Sequence, residues 1–267
     1  MEPMTEIINL REPPLEPKGE FCLTPTARDI HHLLHTCQSF GWLGVVVGEP
    51  GTGKTAAITD YAARAEGGDV RLCRMTRAAS RLQPGLVRLA EALGCGSMPN
   101  VSASELYNAV RYRAGWMSNG LLILDEAQHL EDDLLEALRD LFDEVGAEGV
   151  VFGVVLVGNR GLMDRLSKTD KRRGRAGFSQ FTGRIGAKLD LSAPKAADVE
   201  ALCAHHGIDG KRAVALVKKA AQLPGALQKV RNLFGVAREL GDGAITLKTL
   251  EDAAPVVGIP NLKGGAA

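Results

Sequence analysis

Two short stretches carry residue types and spacings able to handle a phosphate chain. The first is Gly48-Glu49-Pro50-Gly51-Thr52-Gly53-Lys54-Thr55, which fits the pattern G-x-x-x-x-G-K-[ST] in full. Gly48, Gly51 and Gly53 open backbone angles closed to other residues, so successive N–H groups can turn inward around an anion at a helix N-terminus. Lys54 adds a point charge for the outer phosphates, and the Thr55 hydroxyl is an oxygen ligand suited to Mg²⁺. The second stretch is Asp125-Glu126, directly after the apolar run Leu121-Leu122-Ile123-Leu124. Asp125 is suited to hold the metal beside Thr55, usually through water. Glu126 is placed to orient and polarise the water that attacks a terminal phosphate. An Asp-Glu pair after an apolar run says little alone; it gains its meaning from the phosphate loop upstream. The chemistry is that of a nucleotide site.

The surrounding patterns supply elements that would position these groups. Trp42-Leu43-Gly44-Val45-Val46-Val47 is an apolar run ending at the loop, and a helix begins near Lys54. Thr24-Pro25 offers an N-cap and a first-turn proline for an earlier helix carrying Ile30, Leu33, Leu34 and Cys37. Val70 to Met75 alternates apolar with polar and reads as a strand, Leu82 to Leu93 as a helix ending at Gly94. Ser102-Ala103-Ser104-Glu105 is a capping box opening a helix through about Met117. Asp125 and Glu126 emerge at the C-terminal end of a buried parallel strand, where open α/β sheets place ligands. Glu131 to Gly146 is amphipathic, with Leu134, Leu135, Leu138, Leu141 and Phe142 on the buried side. Val150 to Val157 is a further apolar strand ending in Gly158-Asn159, where Asn159 is either a turn former or a contact to the attacking water and γ-phosphate. A short strand at Lys188 to Leu191 follows Arg184, which stands where it can face a neighbouring subunit's nucleotide. After Pro194 strand signals stop, and helical patterns at 195–206, 211–222, 224–240 and 246–257 make a small all-helical domain over the site.

Composition narrows the class. The chain has 267 residues, 32 basic and 32 acidic side chains and no net charge, so any nucleic-acid contact is a local patch and not a global field. Its most basic segment holds Lys168, Lys171, Arg172, Arg173 and Arg175, which on residues alone is either a solvated loop or a contact to a phosphate backbone. Five scattered cysteines without a C-x-x-C pair fit a reduced, cytoplasmic protein. No apolar run reaches the roughly 18 residues that span a bilayer, so no membrane partner is expected. His31, His32 and His35 share a helix but lack a carboxylate or cysteine partner, which favours a packed or solvated face over a metal site. Tyr107, Tyr112 and Trp116 lie beside Arg111 and Arg113, and helix packing explains them more simply than base stacking.

Phosphate loop, acidic strand end, Asn-ended strand, pre-strand arginine and helical lid, in that order, resemble the AAA+ ATPases over about residues 24–257. Phe21-x-x-Thr24-Pro25-Thr26-Ala27-Arg28-x-Ile30, Asp125-Glu126-Ala127-Gln128-His129-Leu130, Val155-Leu156-Val157-Gly158-Asn159 and Phe178-Ser179-Gln180-x-x-x-x-Arg184-Ile185-Gly186 are similar to the transposition ATPases of the phage Mu B family. The resemblance implies an α/β P-loop fold with a five-stranded parallel sheet and a C-terminal all-helical lid. Residues 1–23, rich in Pro and Glu, read as an extended arm, followed by a nucleotide-binding domain at 24–192, a lid at 193–258 and a tail at 259–267. The resemblance also implies ATP and Mg²⁺ as cofactors, and ATP-dependent assembly into a helical filament or ring on double-stranded DNA, which is delivered to a transposase in a bacterial or phage-infected cell. It makes Asn159 the sensor-1 residue, Arg184 an arginine finger reaching across a subunit interface, and the basic segment a DNA contact. The sensor-2 position of many such lids holds an arginine, but here it is Gln228, with Lys229 and Arg231 as substitutes. A replication or helicase-loading ATPase and a secretion-associated ATPase remain as alternatives.

Overall fold

The apolar runs chosen from the sequence all become strands of one parallel sheet. The computed structural model describes residues 21–65, 69–96, 98, 100–167 and 179–260; the basic segment with Lys168, Lys171, Arg172, Arg173 and Arg175, most of the arm and most of the tail lie outside the described residues. In chain order the elements are α1 (Pro25–Phe40), β1 (Leu43–Gly48), α2 (Lys54–Arg64), β2 (Val70–Arg74), α3 (Leu82–Leu93), α4 (Ala103–Gly115), β3 (Gly120–Asp125) and α5 (Asp132–Ala147). They continue with β4 (Phe152–Gly158), α6 (Arg160–Ser167), α7 (Ser179–Thr182), β5 (Ile185–Leu191), α8 (Ala196–His205), α9 (Lys211–Ala221), α10 (Ala226–Leu240) and α11 (Leu247–Val256). The helix α6 has no counterpart among the sequence expectations, and β5 starts three residues earlier than expected, immediately after Arg184.

Strand order is β2-β3-β4-β1-β5, with every pairing parallel. The chain leaves β1 toward one edge through β2, returns through β3 and β4, and then places β5 on β1's other side. The C-terminal end of β1 is therefore a topological switch point, where such sheets open a crevice. The central strands alternate strictly, as a sheet covered on both faces requires. Leu43, Val45, Leu122, Leu124, Phe152, Val154 and Leu156 face one apolar cluster with α3, α4 and α5. Val46, Leu121, Ile123, Val155 and Val157 face another with α1 and α2. Each fully buried Val, Leu or Ile contributes roughly 1.5–3 kcal/mol by leaving water, so the sheet is a firm base for loops at its rims.

Local signals set the helix starts. The Thr24 hydroxyl accepts from the Ala27 N–H at 3.2 Å, with Pro25 in the first turn of α1. Ser102 and Glu105 close their capping box at the head of α4. On α4 the buried side is Leu106, Val110 and Ala114, so the expected packing holds for one of the three aromatics and fails for two. Tyr107 does pack against the core, but Tyr112 and Trp116 lie on the outer face, 65% and 71% exposed. His31 is buried, as the packed-face reading requires, with Nε2 2.9 Å from the Ala57 carbonyl oxygen. Among the described residues no group of three or more His, Cys, Asp or Glu is placed to hold a metal, and no helix is long and apolar enough to cross a membrane. The helices α8 to α11 enclose their own apolar cluster, which includes Val199, Leu216, Val230, Leu233 and Leu250.

Candidate nucleotide site

At the end of β1 the loop wraps its own lysine. Gly51 and Gly53 take φ of 83° and 90°, and Gly53 caps the start of α2. Lys54 Nζ donates to the Gly48 oxygen at 2.8 Å, the Glu49 oxygen at 2.9 Å and Thr52 Oγ1 at 3.2 Å. Thr52 is buried and its hydroxyl donates to the Glu49 oxygen, while Glu49 and Pro50 are exposed on the outside of the turn. All three acceptors of Lys54 are neutral. Burial pushes the ammonium's pKa down, and the negative fields of Asp125, Glu126 and Glu49 oppose that shift. A partly desolvated cation without a bonded carboxylate, in a loop opening onto the N-terminus of α2, fits a polyphosphate.

Asp125 ends β3 and is 2% exposed. Its Oδ2 accepts from Thr55 Oγ1 at 3.1 Å, and its Oδ1 from the Glu126 N–H at 3.0 Å. Adjacent hydroxyl and carboxylate oxygens are a donor set fitting a hard divalent cation such as Mg²⁺. Arg74 Nε also lies 3.3 Å from Asp125 Oδ2, because sheet register sets Arg74, the last residue of β2, against Asp125. The sequence reading did not select Arg74. Alternation along β2 was its only signal.

Glu126 adopts φ 58° and ψ 35°, a left-handed conformation uncommon for a glutamate and costing about 1–3 kcal/mol, of a kind that clusters at functional sites. Asn159 follows β4 on the same rim, exposed, with Arg160 beside it bridging toward Asp190 at 3.4 Å and Glu49 at 4.0 Å. Gln128 lies between Glu126 and Asn159 and touches both. It too was missed as an individual site residue.

The lid reaches the loop through its main chain. The Leu227 N–H at the start of α10 donates to the Gly51 oxygen at 2.9 Å. A Cβ on Gly51 would stand 2.2 Å from the Gly225 oxygen, so only glycine allows this approach. The three sensor-2 candidates do not make that contact. Gln228 donates to Asn232, Lys229 donates to the Val257 oxygen, and Arg231 is exposed on α10. The lid is also tied to α1, where the N–H and hydroxyl of Thr26 donate to the fully buried Asp198 of α8 at 2.8 and 2.7 Å. Next to this tie a cavity of about 70 Å³ opens between Thr26, Asp29, Thr52 and the segment 189–195.

Arg184 is not brought to this rim. It precedes β5, at the N-terminal end of the sheet, a strand's length of roughly 20 Å from the phosphate loop. There Nε pairs with Asp143 Oδ1 of α5 at 2.6 Å. A role for Arg184 at a nucleotide therefore requires a second copy of the chain.

Comparison with known proteins agrees with this arrangement. A family model described as AAA domain matches residues 41–166, and one described as Mu B transposition protein, C terminal, matches residues 183–254. The ATP-dependent target DNA activator B of Escherichia phage Mu is 29% identical over 243 residues, covering 91% of this chain and 72% of that protein. The Mu-like prophage FluMu DNA transposition protein B of Haemophilus influenzae is 30% identical over 189 residues, covering 71% of this chain and 62% of that protein. Among solved structures, Cdc6p from Pyrobaculum aerophilum superposes with a TM-score of 0.63 at 15% identity, covering 93% of this chain and 69% of its own. The Aeropyrum pernix Orc1 protein in complex with DNA gives 0.59 at 18% identity, covering 94% and 68%. At such identities the structures speak to the fold, and the two family models speak to the sequence, one for the nucleotide core and one for the segment that includes most of the lid. Residues 41–166 carry an AAA domain with the fold of the P-loop ATPases, and the chain resembles the Mu B transposition proteins along most of its length.

Proposed function

We propose that this chain is an ATP-hydrolysing protein that assembles on duplex DNA without base specificity and delivers it as target to a transposase. The observation that carries the reading is the similarity to a protein named ATP-dependent target DNA activator B over 91% of this chain, joined to the Lys54, Thr55, Asp125 and Glu126 cluster. In this reading residues 24–192 bind nucleotide, 193–258 act as the lid, and the assembly is a filament or ring in the cytoplasm.

The loop N–H groups and Lys54 bind the phosphates, with Gly51 and Gly53 giving the loop its curvature, while Gly48 stays extended at the end of β1 and admits the close approach of Leu191. Thr55 and Asp125 hold Mg²⁺, which supplies charge neutralisation at the transferring phosphoryl group. Glu126 orients water and takes its proton as oxygen attacks the terminal phosphorus, whose bond to the bridging oxygen breaks so that ADP leaves. Asn159 contacts the same region from the end of β4. Arg184 of a neighbouring copy supplies a further positive charge at the transferring phosphoryl group; such fingers contribute roughly 10³- to 10⁵-fold in rate. Lys168, Lys171, Arg172, Arg173 and Arg175 contact the DNA backbone. Neutralising phosphates by such side chains releases counterions, so binding weakens steeply with salt.

The test is sedimentation with non-specific duplex DNA under ATP, ADP or no nucleotide, repeated at raised salt and with Lys171, Arg172, Arg173 and Arg175 changed to Ala. The reading expects ATP-dependent co-sedimentation that falls with salt and with the substitutions. Oligomers that form with ATP yet ignore DNA at low salt would overturn it and point to an ATPase acting on proteins.

A further inference from the structure

Two residues beyond the acidic pair, Gln128 uses both ends of its side-chain amide within the site. Its Nε2 donates to Glu126 Oε2 at 2.5 Å, and its Oε1 accepts from the Asn159 N–H at 3.2 Å. The partners fix the orientation of the amide. A carboxylate only accepts and a backbone N–H only donates, so nitrogen must face Glu126 and oxygen must face Asn159. The side chain is partly buried on a short 3-10 turn, Ala127–His129, that leans on β4. Room for it comes from Gly158, where a Cβ would lie 2.6 Å from Gln128 Oε1. The chain thus leaves a gap at the end of one strand that the amide from the neighbouring strand's turn fills.

We propose that Gln128 is a positioning residue for hydrolysis, tying the Glu126 carboxylate to the main chain at the end of β4. The need for a tether follows from the backbone. Glu126 sits in the left-handed region, and its long side chain would otherwise spread over several rotamers. The donated N–H removes that freedom and directs the carboxylate's other oxygen lone pairs elsewhere. The other end of the bridge is the peptide N–H of Asn159. A shift of the β4 terminus is thereby passed to the carboxylate through two hydrogen bonds, giving Asn159 a main-chain route to Glu126 besides any contact made by its own amide. This inference rests on Glu126 being the water-polarising group.

The experiment compares Gln128→Ala and Gln128→Glu with Glu126→Gln, alone and combined, in the full chain with non-specific duplex DNA present. Steady-state hydrolysis gives kcat and KM, a fluorescent ATP analogue gives affinity, and single-turnover assays measure the residual rates. Gln128→Glu keeps the size of the side chain and its acceptor but replaces the donor by a carboxylate, so it separates loss of the tether from loss of packing. Both Gln128 variants are expected to lower kcat about 10- to 100-fold, as misplacement of a catalytic group by about an ångström does, with KM and analogue affinity within twofold. In the Glu126→Gln background, Gln128→Ala is expected to add less than twofold, because a positioning residue has nothing further to lose once its target is gone. Gly158→Ala, which crowds the amide without altering it, is expected to act in the same direction. An unchanged kcat, a loss that appears in affinity, or an equal loss in the Glu126→Gln background would each overturn the tether. Full activity of Glu126→Gln by itself would instead overturn the role of Glu126, leaving the two failures distinguishable.

Discussion

At the C-terminal rim of the sheet, Lys54, Thr55, Asp125, Glu126 and Gln128 hold one another or the loop through short contacts within one chain. At the N-terminal rim, Arg184 rests half exposed against Asp143, which is half exposed as well. The first group is assembled in a lone copy. The second lies a strand's length away and has no nucleotide of its own to meet. Both cations suit the same chemistry, so the difference concerns when each is delivered. In the proposed function, the groups that bind nucleotide are preorganised, and the arginine that would complete hydrolysis is held by a half-exposed pair that costs little to release. On that proposal binding precedes assembly, and hydrolysis follows it.

The comparison is broken most directly at Arg184. Arg184→Ala is expected to leave affinity for a fluorescent ATP analogue within threefold and to lower hydrolysis by the assembled protein on the order of 10³-fold, the lower end for an arginine supplied in trans. Mixing it with Glu126→Gln is expected to restore part of the rate, since an intact Glu126 can then meet an intact Arg184 across an interface. A mixture as inactive as its components would mean that Arg184 does not act between copies. Lys54→Ala should behave differently, losing hydrolysis by about 10²–10³-fold together with nucleotide affinity in the unassembled chain. No mixture should rescue the altered copy's own site. Retained affinity would show that the loop does not depend on its lysine.

Contiguous pattern made the first rim readable and distance hid much of the rest. The phosphate loop and Asp125-Glu126 are local, and their chemistry follows from order alone. Gln128 is equally local, but its role depends on the left-handed turn at Glu126 and on β4 lying beside β3, neither of which the sequence states. Arg74 meets Asp125 only through sheet register. The lid also meets the loop through the N–H of Leu227, beside the side chains of Gln228, Lys229 and Arg231 that are candidates for a γ-phosphate contact. No side-chain motif encodes that. Tyr112 and Trp116 were misjudged because spacing tells which residues share a face and not which face is covered; Leu106, Val110 and Ala114 take the covered one. The helix α6 escaped because it is short, with Leu162 and Leu166 as its buried pair.

The lid contact yields a smaller test of the first rim's preorganisation. Gly51→Ala places a Cβ against the Gly225 oxygen and asks alanine to hold φ near 83°. The strain and crowding together are expected to cost about 1–3 kcal/mol, or a few degrees of melting temperature for a chain of this size. Hydrogen exchange at the Leu227 amide should quicken as the lid lifts. Unchanged protection there would show that lid and loop are not coupled by this bond.

The smallest expected effect tests whether Asp143 restrains Arg184. Asp143→Asn keeps the shape of the acceptor and removes its charge. An exposed ion pair contributes about 0.2–1 kcal/mol, so freeing Arg184 can raise its availability by at most about fivefold, given that 1.4 kcal/mol corresponds to a factor of ten. Hydrolysis by the assembled protein should therefore rise by less than fivefold, with no change in nucleotide affinity and no change in the unassembled chain. Direction is the informative part. A fall would mean that Asp143 aims Arg184 at the neighbouring site instead of storing it, and the half-exposed pair would then be part of the finished interface. A rise confined to the assembled state would place the delay between binding and hydrolysis at this pair.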